Sequence, residues 1–399
     1  MVESGAAGGR RRTRVLVVVL CGLVAVAGLV AALLVGVIGP ATAEVALQPV
    51  SDATPTGAAP VNPADPVSAT ATRGELREVT LTPAGGSAVA GTLSEDHTRW
   101  TPSVPLAYGK TYTWGGTAAD ARGRTVPLKG SFRTVKPASV TGAKLNIADG
   151  GVVGIAAPIV VQFDGHVANR EVAERALSVQ TSNQTEGSWG WLQDDLGGSR
   201  VFWRPKEYWK PDTAVTVKAD VFGVDLGKGN FGEKNVGAQF TVGRAQIVKA
   251  DVGSHQLVVQ RDGVEVARYE ASYGKESDPD RNTHNGIHVV TEKFTDKRMV
   301  NPQYHYDVME HFAVRISNNG EFIHANPDTE GVQGEANVSH GCVNLSTADA
   351  KAYFDSVLYG DPVEVTGSPV PLSARDGDIW VWTMDWPAWQ RLSALHRDS

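Results

Sequence analysis

Residues 322–345 open with Phe322-Ile323-His324-Ala325-Asn326-Pro327 and close with Ser339-His340-Gly341-Cys342-Val343-Asn344-Leu345. The opening reads as the end of an apolar strand, and the close as a tight turn around a glycine. The chain has only two cysteines, Cys21 and Cys342, so no disulfide framework exists and Cys342 stands by itself. A free thiol titrates near pH 8.5 and needs a base or a positive neighbour to become a strong nucleophile at neutral pH. His324 lies 18 residues upstream, and a loop of that length folds back easily. Gly341, with no Cβ, permits a close backbone approach in which the N–H groups of Gly341 and Cys342 face a developing oxyanion. On these residues alone, an inert buried cysteine with an unrelated histidine is an equal reading.

Working outward, the N-terminus bears on why a thiol would be kept. Residues 15–39 are 25 consecutive uncharged, mostly apolar residues preceded by Arg10, Arg11, Arg12 and Arg14. That length spans a bilayer, and the arginines hold the N-terminal side in the cytoplasm, which places everything after Glu44 outside. Ala41-Thr42-Ala43 has the form of a cleavage site, so a signal sequence is the competing reading, though the apolar run is long for one. In either case Cys342 is extracytoplasmic, where an idle thiol oxidises or exchanges. With 37 basic against 44 acidic side chains, and the only dense basic run inside the first 14 residues, a nucleic-acid partner is not expected.

Residues 1–14 form the basic cytoplasmic segment, and residues 40–51 read as a linker within a Pro- and Ala-rich spacer that runs on to about Ala71. Two segments then share a weak pattern. Trp100-Thr101-Pro102 precedes Phe132 by 32 residues, counted from the tryptophan, and Trp203-Arg204-Pro205 precedes Phe240 by 37. Their size, turn spacing and Thr/Val content predict two Ig-like β-sandwich modules, 52–137 and 138–244, acting as stalks or as wall- or protein-binding modules. From 245 to 372 a further β-rich domain is expected, with a hairpin around Arg261-Asp262-Gly263. One helix is predicted there over 347–358, capped by Ser346 or Thr347. The tail, 373–399, carries Trp380, Trp382, Trp386 and Trp389, which are expected to pack back on the domain or, less simply, to offer a stacking surface for sugars. His305, Asp307, Glu310 and His311 match no familiar metal-ligand spacing.

The string from His324 to Asn344 resembles the signature of the L,D-transpeptidases of bacterial cell-wall synthesis, whose catalytic domain is of the YkuD type. The signature has a histidine, a spacer, Ser/Thr-His-Gly-Cys, a hydrophobic residue, and Arg or Asn. The likeness extends to Gly274-Lys275, Asn285-Gly286 and the 316–324 approach. The tandem modules behind an anchor and the Trp-rich tail are similar to actinobacterial members. The resemblance implies a mainly β chain: a transmembrane segment, two Ig-like sandwiches, and a YkuD-type domain with one short helix. It implies Cys342 as nucleophile, His324 as base, the Ala325 carbonyl as third member, and Gly341 at the oxyanion. Tyr306, Ser339, His340 and Asn344 would face the substrate, with Asn344 standing where many members carry Arg. The implied partners are peptidoglycan stem peptides as donor and acceptor, with carbapenems as acylating inhibitors and no metal or organic cofactor. The implied reaction is a 3→3 cross-link through a cysteine thioester. Hydrolysis of the same bond by an L,D-carboxypeptidase, and a wall-binding scaffold, remain alternatives.

Overall fold

The computed structural model describes residues 42–48, 59–195, 197–373 and 380–396. The 15–39 segment and Cys21 lie outside them. The chain divides into two compact units, Met1–Lys136 and Pro137–Ser399. The described residues are mainly β, with few and short helices.

In the first unit, one sheet runs in the order Glu44–Gln48, Ser68–Thr72, Arg99–Pro102, Gly91–Leu93. The other is built from Glu75–Pro83, Thr111–Ala119, Thr125–Pro127 and Gly130–Arg133. The core between them holds Leu76, Leu81, Trp100, Tyr112, Trp114 and Phe132. The linker expected over 40–51 is corrected here. Glu44–Gln48 is an edge strand paired antiparallel with Ser68–Thr72, because Ala43 and Leu47 alternate inward and bury against this core.

The second unit starts with another pair of four-stranded sheets, from Ala143–Leu145 to Val236–Val242. Here the Trp-x-Pro repeat acquires a physical meaning. Trp100 and Trp203 each lie across a glycine of the neighbouring strand, Gly91 and Gly187, which stand opposite Pro102 and Pro205 in register. A Cβ on Gly91 would fall 1.9 Å from the Trp100 ring, and one on Gly187 would fall 2.0 Å from that of Trp203. The two modules thus use one device, a tryptophan seated on a bare glycine two residues before a proline. Gly187→Ala is expected to cost about 1–3 kcal/mol by forcing that ring off its rotamer. Thermal melting checks it, and an unchanged midpoint would contradict the packing. A helix the sequence did not suggest, Arg170–Arg175, is capped by Asn169 within this module.

Alternation explains the tail. Trp203 points into the sandwich, so Arg204 points out of it, where Trp382, Trp386 and Trp389 surround its guanidinium at 4.8, 5.4 and 5.2 Å. Trp389 is fully buried and donates to the Ser188 carbonyl at 3.0 Å, while Arg204 donates to that of Met384 at 2.9 Å. Burial pulls the Arg204 guanidinium down to about 10 despite the Glu207 and Asp385 carboxylates nearby. The tail therefore packs chiefly on the second sandwich rather than on the β-rich domain that precedes it, and Trp389 is not available for stacking on a sugar.

That domain contains two sheets. The first runs Val264–Glu270, Gln256–Arg261, Gln246–Asp251, Pro362–Thr366, Gly286–Val289. Its hairpin turns on Asp262 and Gly263, both at positive φ, as a two-residue turn requires. The second runs Glu292–Asn301, Tyr306–Arg315, Phe322–Ala325, Val343–Leu345. The helix spans Thr347–Ser356 with Ser346 as its cap, accepting from the Asp349 N–H at 3.1 Å. Its buried Ala350 and Tyr353 share a core with Ile323, Ala325, Val343 and Leu345.

Candidate active site

Strand alternation places His324. Ile323 and Ala325 face the core just described, so His324 between them faces the other way. The next strand runs parallel with His324 opposite Asn344, and Val343 and Leu345 face the same core. Asn344 and His324 thus stand side by side on the cleft face, and Cys342 arrives at the mouth of that strand.

The turn that delivers Cys342 is held from several sides. Gly341 sits at φ +119°, a conformation L side chains rarely adopt. The Ser339 hydroxyl donates to the Cys342 carbonyl at 2.6 Å and accepts from the Gly341 N–H at 3.1 Å. Arg281 donates to the carbonyls of Val338 and Ser339 at 2.6 and 3.1 Å, and the Thr283 hydroxyl donates to that of Gly341 at 2.8 Å. Two sequence expectations change here. The Gly341 amide is already engaged by Ser339, and the Ser339 hydroxyl closes the turn, so in this arrangement neither is offered to a substrate.

His324 is buried, with Nδ1 2.9 Å from the Ala325 carbonyl oxygen and 3.1 Å from a Glu310 carboxylate oxygen. Two acceptors on Nδ1 make it the N–H and leave Nε2 for the sulfur. Burial pulls the imidazole down, but hydrogen bonds to Cys342 and Glu310 and the charges of both outweigh it, and its pKa rises to about 10. The Cys342 sulfur also lies 3.6 Å from the Gly320 carbonyl.

The hairpin of Glu292–Asn301 and Tyr306–Arg315 forms one wall of the cleft. Burial first, then the charge of Cys342, raises the Tyr306 phenol, so it sits within electrostatic reach of the thiol. The His340 ring packs against Tyr304 and Tyr306 at 4.6 and 5.3 Å, and burial, reinforced by Arg281, lowers its pKa. The two histidines near the thiol are therefore pushed in opposite directions.

Two cavities of about 310 and 250 Å³ meet at Cys342, sharing Met299, Tyr306 and His340 in their walls. The larger is also lined by Asn282, His284 and Gly320, and the smaller by Glu310, His324 and Asn344. The structure brings together Cys342, His324, Ala325, Tyr306, His340 and Asn344. Sequence reasoning missed Arg281, Thr283 and Met299 entirely, since their separation along the chain carries no motif. In the sequence Glu310 stands out only as a member of the cluster with no metal-ligand spacing. Its former companions go elsewhere: His311 contacts Asp296 at 2.6 Å, and Asp307 takes the Arg298 guanidinium at 2.7 Å.

A family model described as the L,D-transpeptidase catalytic domain matches residues 245–365, and one described as a bacterial Ig domain matches residues 58–225, which reach into both sandwiches. L,D-transpeptidase 5 of Mycobacterium tuberculosis is 48% identical over 340 residues, covering 85% of this chain and 75% of that protein. L,D-transpeptidase 2 of the same organism is 37% identical, covering 84% of this chain and 82% of that protein. Among solved structures, that of an L,D-transpeptidase in complex with imipenem is 34% identical, covering 56% of this chain and 99% of that one, at a TM-score of 0.48. A thiol with a buried imidazole at a two-sided cleft, carried on such a chain, identifies the protein as an enzyme: it belongs to the L,D-transpeptidases.

Proposed function

We propose that the chain forms 3→3 peptidoglycan cross-links through a thioester on Cys342. The observation that carries this reading is the placement of Cys342 beside His324 and at the junction of two cavities, which gives a donor and an acceptor separate approaches to one sulfur.

In the first step the Cys342 thiolate attacks the carbonyl at the L-centre of the diamino acid at position three of a tetrapeptide stem. The oxyanion is met by the Cys342 N–H and the Tyr306 hydroxyl. As the tetrahedral intermediate collapses, the D-Ala amine takes a proton from Nε2 of His324 and leaves. The sulfur is now neutral, so the thiolate charge that helped hold up the imidazole is gone, and His324 is free to act as base. It accepts the proton of the neighbouring stem's side-chain amine as that nitrogen attacks the thioester, and the thiolate re-forms. The Ala325 carbonyl keeps the ring in one tautomer throughout. His340 and Asn344 line the approaches, and no metal or organic cofactor enters the scheme.

Carbapenems offer a strained acyl group to the same thiolate and are expected to acylate Cys342. We further propose that residues 15–39 anchor the chain in the cell membrane, leaving the sandwiches and the catalytic domain in the wall space.

The full chain incubated with tetrapeptide muropeptides, followed by mass spectrometry, tests the reading. Cross-linked dimer with loss of D-Ala is the expected product. Tripeptide alone would mean an L,D-carboxypeptidase, and no Cys342-dependent turnover would leave a scaffold.

A further inference from the structure

A backbone carbonyl at Nδ1 fixes a histidine's tautomer but brings no net charge. At this site a second acceptor is present. The Glu310 carboxylate lies 3.1 Å from the same Nδ1, and its side chain is only 16% exposed. Its cross-strand partner Lys297 does not claim it, since that ammonium sits 4.4 Å over the Phe294 ring. Glu310 is aimed at His324 because of a β-bulge. The Tyr306–Arg315 strand pairs Val314 with Ile323 but His311 with Ala325, an extra residue being taken up where Phe312 turns to φ +51°.

We propose that Glu310 is a positioning residue for the acyl transfer: its carboxylate shares the Nδ1–H of His324 with the Ala325 carbonyl, directs Nε2 at Cys342, and favours the imidazolium that pairs with the thiolate. This rests on Cys342 and His324 being nucleophile and base. Forming the pair moves one proton from the sulfur to Nε2, and none passes to Glu310. Besides Tyr306 and His340, the larger cavity beside Cys342 is lined by Asp280, His284, Lys297, Arg298 and Glu321. Arg281 is directed to the Val338 and Ser339 carbonyls, and Glu321 to His284 and Ser317. Glu310 is thus the carboxylate found at Nδ1, and it adds to the rise in the His324 pKa noted above.

The test compares the full chain with Glu310→Gln and Glu310→Asp, using Cys342→Ala as the spectroscopic baseline. The ultraviolet thiolate band at neutral pH and the rate of Cys342 acylation by a carbapenem are read together. In Glu310→Gln the thiolate band falls and acylation slows by about tenfold, since the Ala325 carbonyl still holds the tautomer and only the charge is lost. Glu310→Asp, with the carboxylate withdrawn by one methylene, loses less of both. A purely structural role would lower the melting midpoint without moving the thiolate fraction of the folded protein. An unchanged band and rate in folded Glu310→Gln, or equal losses in both variants, overturns the proposal. If instead the wild-type chain shows no thiolate band above the Cys342→Ala baseline and no acylation, the reading of Cys342 and His324 fails first.

Discussion

His324→Ala lowers the rate of Cys342 acylation by about four orders of magnitude at neutral pH, while His340→Ala lowers it by no more than about tenfold. The difference follows from where the two rings stand. His324 is buried, tied through Nδ1 and directed at the sulfur, so its removal takes away both the proton acceptor and the positive partner of the thiolate. His340 is exposed, packs on two tyrosines, and has a depressed pKa that keeps it neutral at neutral pH. Its loss disturbs the wall of both cavities but not the proton transfer. The pH profile gives a second handle. Because the folded His324 pKa lies near 10, above the ordinary 6.5, the imidazolium persists through the neutral range. Loss of the imidazolium therefore produces no fall in wild-type acylation near pH 6.5, and that fall comes only toward 10. Intact-protein mass spectrometry of the carbapenem adduct over time measures all of this. Cys342→Ala gives no adduct at all. A larger loss in His340→Ala than in His324→Ala, or a break near the ordinary histidine value, would reverse the assignment.

The parts of this site that depend on local sequence were legible, and those that depend on pairing were not. Cys342, Gly341 and His340 are neighbours in one turn, and His324 lies one short loop away. Their proximity could be inferred without knowing the sheet. The opposite faces of His324 and Ala325 follow from strand alternation alone. Glu310 became visible only with the bulge at Phe312, which resets which side of its strand faces His324. Arg281 and Thr283 brace the cysteine turn from 58 residues away, a separation with no periodic trace in the sequence. The partners of the Ser339 hydroxyl and Gly341 amide were hidden for a related reason: they are each other and the Cys342 carbonyl, a closed local pattern that only the backbone path reveals. At the fold level, the Trp-x-Pro repeat marked two equivalent modules. The start of the first module was misplaced because a five-residue edge strand resembles a spacer until its partner is known.

Asp361→Ala destabilises the Pro137–Ser399 unit by about 3 kcal/mol, with a drop of roughly 6–12 °C in its melting midpoint. Asp361 is fully buried where the connector leaving the second sandwich meets the catalytic domain. Its carboxylate accepts from Arg244 at 2.9 and 2.7 Å, from the Leu358 N–H at 2.9 Å and from Gln246 at 3.3 Å. Truncation leaves all three donors without that acceptor in a site closed to water, which is the expensive way to break a buried pair. The loss falls at the lower end of the usual range because Arg244 is 24% exposed and also reaches the Ser356 carbonyl. Burial raises the Asp361 pKa despite Arg244 and the Leu358 amide. The folded value thus exceeds the unfolded one, and the buried charge opposes folding above it. That opposition is relieved as pH falls through the folded pKa, the reverse of an ordinary ion-paired carboxylate. Asp361→Asn keeps an oxygen acceptor and discards the charge, so it costs about 1 kcal/mol or less and lacks the acid-side gain seen for wild type relative to it. Differential scanning calorimetry separates the cases, with the transition of the first sandwich as an internal reference. An Asp361→Ala midpoint within about a degree of wild type would show that the catalytic domain and second sandwich do not depend on this contact.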